Sequence, residues 1–140
     1  MQELKIVGDQ TICPVIALVR NNQLLIGLRH YTPDKWKEIS VWTLPGGRCD
    51  KGELLGETLK REVREEIGIN DIKISQFLGI VPGAKNGDVV YTFLGETNEN
   101  PKLIEPEKFS EWKWCDINQI PSNFININSL KLIKEKILEK

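Results

Sequence analysis

Glu62, Glu65 and Glu66 stand at positions i, i+3 and i+4 of one short segment. If that segment is helical, the three carboxylates crowd one turn and repel one another unless a cation joins them. A hard divalent ion such as Mg²⁺ or Mn²⁺ suits carboxylate oxygens and keeps coordination positions open for water and phosphate. The apolar residues Leu55, Leu59, Val63 and Ile67 recur every fourth position. At about 100° per residue, Glu66 falls about 40° from the centre of their arc, Glu62 about 80° and Glu65 about 140°. A solvated glutamate-rich face would explain Glu57, paired with Arg61 or Arg64, and would tolerate Glu65, but that reading accounts poorly for Glu66. A carboxylate aimed at the edge of an apolar stripe is costly to desolvate unless positive charge meets it. The spacing therefore points to a cation site serving phosphate chemistry.

The elements that must hold these residues follow from local pattern. The four-residue stripe predicts a helix over residues 54 to 67, with Gly68 placed for a left-handed C-cap. Val15 to Val19 and Leu24 to Leu28 flank Asn21-Asn22 and read as an antiparallel hairpin. Val41 to Leu44 predicts a short strand that Pro45-Gly46-Gly47 stops. Ile72 to Val81 predicts one or two strands, and β-branched and aromatic residues predict strands over Val89 to Gly95 and Glu111 to Cys115. A last helix bears Leu130, Ile133, Ile137 and Leu138, with Asn128 or Ser129 as its cap. Strands interleaved with two helices imply an α/β chain whose mixed sheet has helices packed on it.

Bulk properties narrow the function classes. The chain has 140 residues, fitting a single domain over residues 1–140. Its formal net charge is −1, with no basic stripe to displace counterions, so no nucleic-acid duplex is expected as a partner. No window approaches the roughly 18 to 20 apolar residues that span a bilayer. No secretory signal is visible at Met1 to Lys5, and a cytoplasmic protein is expected. Cys13, Cys49 and Cys115 are far apart and His30 stands alone. That excludes a zinc-ligand pattern and predicts reduced thiols in or near the core. Tyr31, Trp36, Phe77, Phe93, Trp112 and Phe124 are candidates to stack on a base. Trp36 lies in the loop of residues 30 to 40, whose length suits a lid or specificity loop.

The segment from Gly47 to Ile69 resembles the Nudix box, Gly-x5-Glu-x7-Arg-Glu-(apolar)-x-Glu-Glu-x-Gly-(apolar). Gly47, Glu53, Arg61, Glu62, Val63, Glu65, Glu66, Gly68 and Ile69 fill every constrained position. The resemblance implies the Nudix fold, a mixed β-sheet sandwiched between helices, and a hydrolase of phosphoric anhydride bonds. It implies that Glu62, Glu65 and Glu66 hold Mg²⁺ or Mn²⁺, with a backbone carbonyl from Gly47 or Gly46. It implies that Arg61 and Glu53 orient those ligands. Leu25 to Arg29 is similar to the family's second hairpin strand, where Arg29 would reach a phosphate. Glu105 to Trp114 is similar to a segment of the triphosphate-sanitising members, where an acid reaches the metal. Glu107 is the expected residue and Glu105 the fallback, and Glu65 or Glu107 would accept the proton of water.

By this resemblance the substrate is a small nucleotide, a nucleoside triphosphate cleaved to monophosphate and pyrophosphate, with clearance of modified nucleotides as a role. The alternative is another nucleoside diphosphate derivative, such as ADP-ribose or a nucleotide sugar. Pro82 lies thirteen residues past Ile69, near but not at the place typical of ADP-ribose hydrolases. A non-catalytic nucleotide-binding domain is disfavoured because no box glutamate is missing. Homodimers are common among such proteins, so a second copy of the chain is a candidate partner.

Overall fold

A computed structural model describes residues 1–30, 40–83 and 85–138. Its strands are β1 (Ile12–Arg20), β2 (Gln23–Arg29), β3 (Val41–Thr43), β4 (Lys73–Pro82), β5 (Val89–Glu96) and β6 (Phe109–Asp116). Helix α1 spans Leu55–Ile67, helix α2 spans Ile127–Leu138, and a 3-10 turn occupies Gln2–Lys5. The strands form one mixed sheet in the order β3-β2-β1-β5-β4, with β6 paired to β2. β1 runs parallel to β5 and antiparallel to β2.

The apolar run in β1 serves two cores. Val15 and Ala17 pack on one face with Ile133 of α2, while Ile16 and Leu18 pack on the other with Leu55, Leu59, Val63 and Ile67 of α1. A strand covered on both faces needs no polar alternation, which is why the sequence reads as continuous hydrophobicity. The helices thus lie on opposite faces, the expected α/β/α sandwich.

The hairpin turn forms at Asn21 and Asn22, both with positive φ (52° and 62°), a conformation that asparagine tolerates well. Helix α1 ends at Gly68 in the left-handed region, its N–H donating to the Arg64 carbonyl at 3.1 Å. Glu57 does not pair with an arginine. It turns back to accept the Leu54 N–H at 2.9 Å, satisfying an orphan donor of the first turn. Gly56, costly to the helix by propensity, lets Leu4 pack closely, since a Cβ there would lie 3.2 Å from the Leu4 carbonyl.

Helix α2 begins at Ile127, before the expected cap. Ser129 is buried, 2.7 Å from the Thr92 hydroxyl of β5. It ties the helix to the sheet and does not cap it. The Ile72 to Val81 pattern resolves into one strand, bent by register shifts against β5 at Ile74/Gln76 and Phe77/Gly79.

Candidate active site

Residues 45 to 49 run along β1 in antiparallel fashion. Ile16 N–H donates to the Pro45 carbonyl at 3.0 Å, Gly47 N–H to Pro14 at 3.2 Å, and Cys49 N–H to Ile12 at 3.0 Å. In such a pairing alternate residues turn their peptide groups away from the partner strand. Gly46 is the one turned away, and its N–H donates to Glu66 Oε1 at 3.0 Å. Only glycine fits here: φ is +146°, and a Cβ would run into the Pro14 carbonyl and the Val15 backbone. At Gly47 a Cβ would meet the Glu62 carboxyl carbon at 2.5 Å. The two glycines therefore let Glu66 and Glu62 approach this backbone.

The glutamates are buried in the order that the helical wheel dictates. Glu66 is 5% exposed, the Glu62 side chain 19% and the Glu65 side chain 44%. Burial raises the Glu66 carboxyl well above its ordinary range, opposed by the Gly46 N–H and by Arg29. Burial also raises Glu62, opposed by Arg61.

Arg61 organises the solvent side. Its Nε donates to Glu53 Oε2 at 2.8 Å and its Nη2 to Glu53 Oε1 at 2.9 Å, a two-point grip. Its Nη1 reaches Glu62 at 2.9 Å and Glu65 at 3.0 Å. Thr58, which the sequence reading passed over, donates to Glu53 Oε1 at 2.6 Å from a buried position. The Arg61 guanidinium, aided by Thr58, holds the Glu53 carboxyl down at about 2.

Glu62 and Glu66, but not Glu65, Arg61, Glu53 or Thr58, line a cavity of roughly 780 Å³ together with Gly46, Gly47, Arg29 and Lys108. Its apolar lining includes Val15, Val41, Leu44, Val90 and Phe124, a mixture typical of small-ligand sites. Asn126 also lines it, its Oδ1 accepting from Leu44 N–H and Thr43 Oγ1 at 2.9 Å each. Arg48 pairs with Asp88 at 2.5 Å, joining the glycine loop to the β4–β5 connection at the same cavity. Cys13 lines it too, but burial pushes its thiol up to about 12, so it offers no thiolate nucleophile.

Several expectations change. Glu107 is exposed. Glu105, the fallback, is 21% exposed at its side chain, lies close enough to Glu66 to act on its charge, and pairs with Lys108 at 3.4 Å. Gly47 spends its N–H on β1, so Gly46 is the glycine whose peptide group meets a carboxylate. Phe77 and Phe93 stack together on the α1 face, and Trp112 packs with that cluster. Of the base-stacking candidates among the described residues, Phe124 lines the cavity. Trp36 and Tyr31 fall outside the described residues.

The donor set suits a hard cation: oxygen ligands, with Glu66 buried and Glu62 half-buried, and the Glu66 carboxylate accepting from a backbone N–H. Among the described residues no three His, Cys, Asp or Glu side chains converge as a finished ligand set. Glu62 and Glu65 are both paired with Arg61 Nη1. The residues fit Mg²⁺ or Mn²⁺ as pairs that a cation would gather. No helix among the described residues is long and apolar enough to cross a membrane.

A model of the NUDIX domain matches residues 13–138. The chain is 27% identical over 145 residues to an RNA pyrophosphohydrolase of Pelagibacter ubique (strain HTCC1062), covering 89% of each. It is 30% identical over 107 residues to a putative 8-oxo-dGTP diphosphatase of Bacillus subtilis (strain 168), covering 76% of this chain and 66% of that protein. The fold matches the crystal structure of a MutT NUDIX hydrolase from Burkholderia pseudomallei with a TM-score of 0.71 at 24% identity. That match covers 87% of this chain and 96% of the other.

Proposed function

This chain belongs to the Nudix family of hydrolases acting on pyrophosphate bonds, and from that premise we propose that it cleaves a nucleoside or deoxynucleoside triphosphate to the monophosphate and pyrophosphate. Clearing modified nucleotides is the proposed role, with residues 1–140 acting as a single catalytic domain. One observation carries the reading. Two glutamates, the buried Glu66 and the half-buried Glu62, share with Arg29 a partly apolar cavity of roughly 780 Å³, within the range that holds one drug-sized ligand.

Glu62, Glu65 and Glu66 would hold Mg²⁺ or Mn²⁺. Gly46 is the preferred carbonyl donor over Gly47, because an extended residue turns its C=O to the same side as its N–H. When bound there, such a cation would supply Lewis-acid polarisation to the attacking water and the phosphate oxygens. Glu53 and Thr58 fix Arg61, and Arg61 holds Glu62 and Glu65 in place. Glu65, the most exposed of the three box glutamates, accepts the proton of water, with Glu105 preferred to Glu107 as a supporting acid. Arg29 binds a phosphate oxygen, and Phe124 with Val41 and Leu44 receives the base.

A panel of canonical, oxidised and methylated triphosphates, ADP-ribose, nucleotide sugars and 5′-triphosphorylated RNA, assayed with Mg²⁺, tests this. Mononucleoside triphosphates are expected to give the highest kcat/KM. Glu62→Gln, Glu65→Gln and Glu66→Gln are each expected to lower kcat by about 100-fold or more. Preference for a nucleotide sugar, ADP-ribose or RNA would overturn the substrate assignment. Full Mg²⁺-dependent turnover in the triple glutamine variant would overturn the site.

A further inference from the structure

Of the cationic side chains that line the cavity, two have charges that act on its carboxylate wall, and only Arg29 was legible in advance. The second is Lys108, and the sheet brings the two together. β2 and β6 pair antiparallel until the register shifts between Leu28 and Arg29, so that Arg29 stands opposite Phe109. The His30 N–H then donates to the Lys108 carbonyl at 2.8 Å. Lys108 thus sits at the start of β6 beside the end of β2, and both Arg29 and Lys108 line the cavity with Glu62 and Glu66. Arg29 acts electrostatically on Glu66, and Lys108 acts on Glu62. Its ammonium is 53% exposed at the side chain and pairs with Glu105 at 3.4 Å. Such a pair is long and solvated, and exchanges readily for a stronger partner.

We propose that Lys108 is a substrate-binding residue, the second arm of a two-cation clamp with Arg29 that grips the phosphates farthest from the nucleoside. The inference rests on the triphosphate reading and adds to it a residue that selects for phosphate number. A polyphosphate oxygen and the Glu105 carboxylate compete for the same ammonium, and a doubly charged phosphate wins once Glu105 is drawn to a cation. Arg29 offers a planar fork and Lys108 a point charge on a flexible stem, so the pair can follow a terminal phosphate as it departs.

The test uses the full chain with inorganic pyrophosphate as probe. Calorimetric titration with Mg²⁺-pyrophosphate is expected to show binding weakened about tenfold in Lys108→Met and kept within about threefold in Lys108→Arg. Mn²⁺ affinity without pyrophosphate is expected to stay within about twofold of the wild type, and KM should rise more for a triphosphate than for the matching diphosphate. Lys131→Met, an exposed lysine of α2, controls for general charge. Several results would overturn the proposal: no wild-type pyrophosphate binding, unchanged affinity in Lys108→Met, an equal loss in Lys131→Met, or an equal loss of Mn²⁺ affinity. If the wild type hydrolyses no triphosphate, the functional reading fails on its own, and the pyrophosphate titration still decides the role of Lys108.

Discussion

Glu53 and Glu66 show how one residue type acquires opposite properties. Glu53 accepts from Arg61 and Thr58 and is held down at about 2, whereas burial lifts Glu66. Each buried charge needs a partner: Glu53 has a fixed one in Arg61, and Glu66 is left for a cation. For Glu53 the pH dependence follows from linkage, because its folded value lies below its ordinary one of 4.5. Its contribution to stability is full above the unfolded value and is lost as pH falls through about 2. The Glu53→Gln variant should lose about 2 kcal/mol at neutral pH, the worth of hydrogen bonds to a charged group. Its gap from the wild type should close as the pH drops below about 4.5. Urea unfolding of metal-free protein across that range measures this, and a gap that widens in acid would contradict it.

At the scale of elements, the seam between the glycine loop and β1 determines how α1 meets its surroundings. Gly46 and Gly47 are neighbours with different duties, and substitution should separate them. Gly46→Ala meets the β1 backbone at Pro14 and Val15 and a φ of +146°, so it should cost about 1–3 kcal/mol or more. For Gly47→Ala the nearest atoms are the flexible end of Glu62. It should melt within a few degrees of the wild type yet bind Mn²⁺ about tenfold more weakly, because the carboxylate must move. Thermal melts paired with Mn²⁺ titration distinguish the two. Equal effects on stability would mean that the loop, and not the glutamate, yields to the added methyl.

Across the whole molecule, the sheet separates two duties onto its two faces. Helix α1 carries the carboxylates on one face, and the approach to α2 (Phe124 to Ser129) supplies cavity lining on the other. Leu59 and Ile133 are both fully buried, one on each helix. Truncating either to alanine should cost about 2–5 kcal/mol. The kinetic signatures should differ: Leu59→Ala lowers kcat by loosening the carboxylates, and Ile133→Ala raises KM by loosening the nucleotide wall. Steady-state kinetics well below both melting temperatures would show this, and identical changes in kcat and KM would refute the division.

The sequence alone determined α1, its Gly68 stop, the order in which its glutamates are buried, and the hairpin at Asn21-Asn22. All of these depend on periodicity or on residues a few positions apart. Only the tertiary structure decided which acid before β6 turns inward, which glycine of the pair meets Glu66, and that Ser129 joins Thr92 without capping a helix. It also set Lys108 beside Arg29, a juxtaposition that depends on one register shift between strands about eighty residues apart in the chain. Local pattern fixes the face on which a side chain lies. It carries no information about which distant strand edge will stand opposite, because that register is settled by packing both faces of the sheet at once.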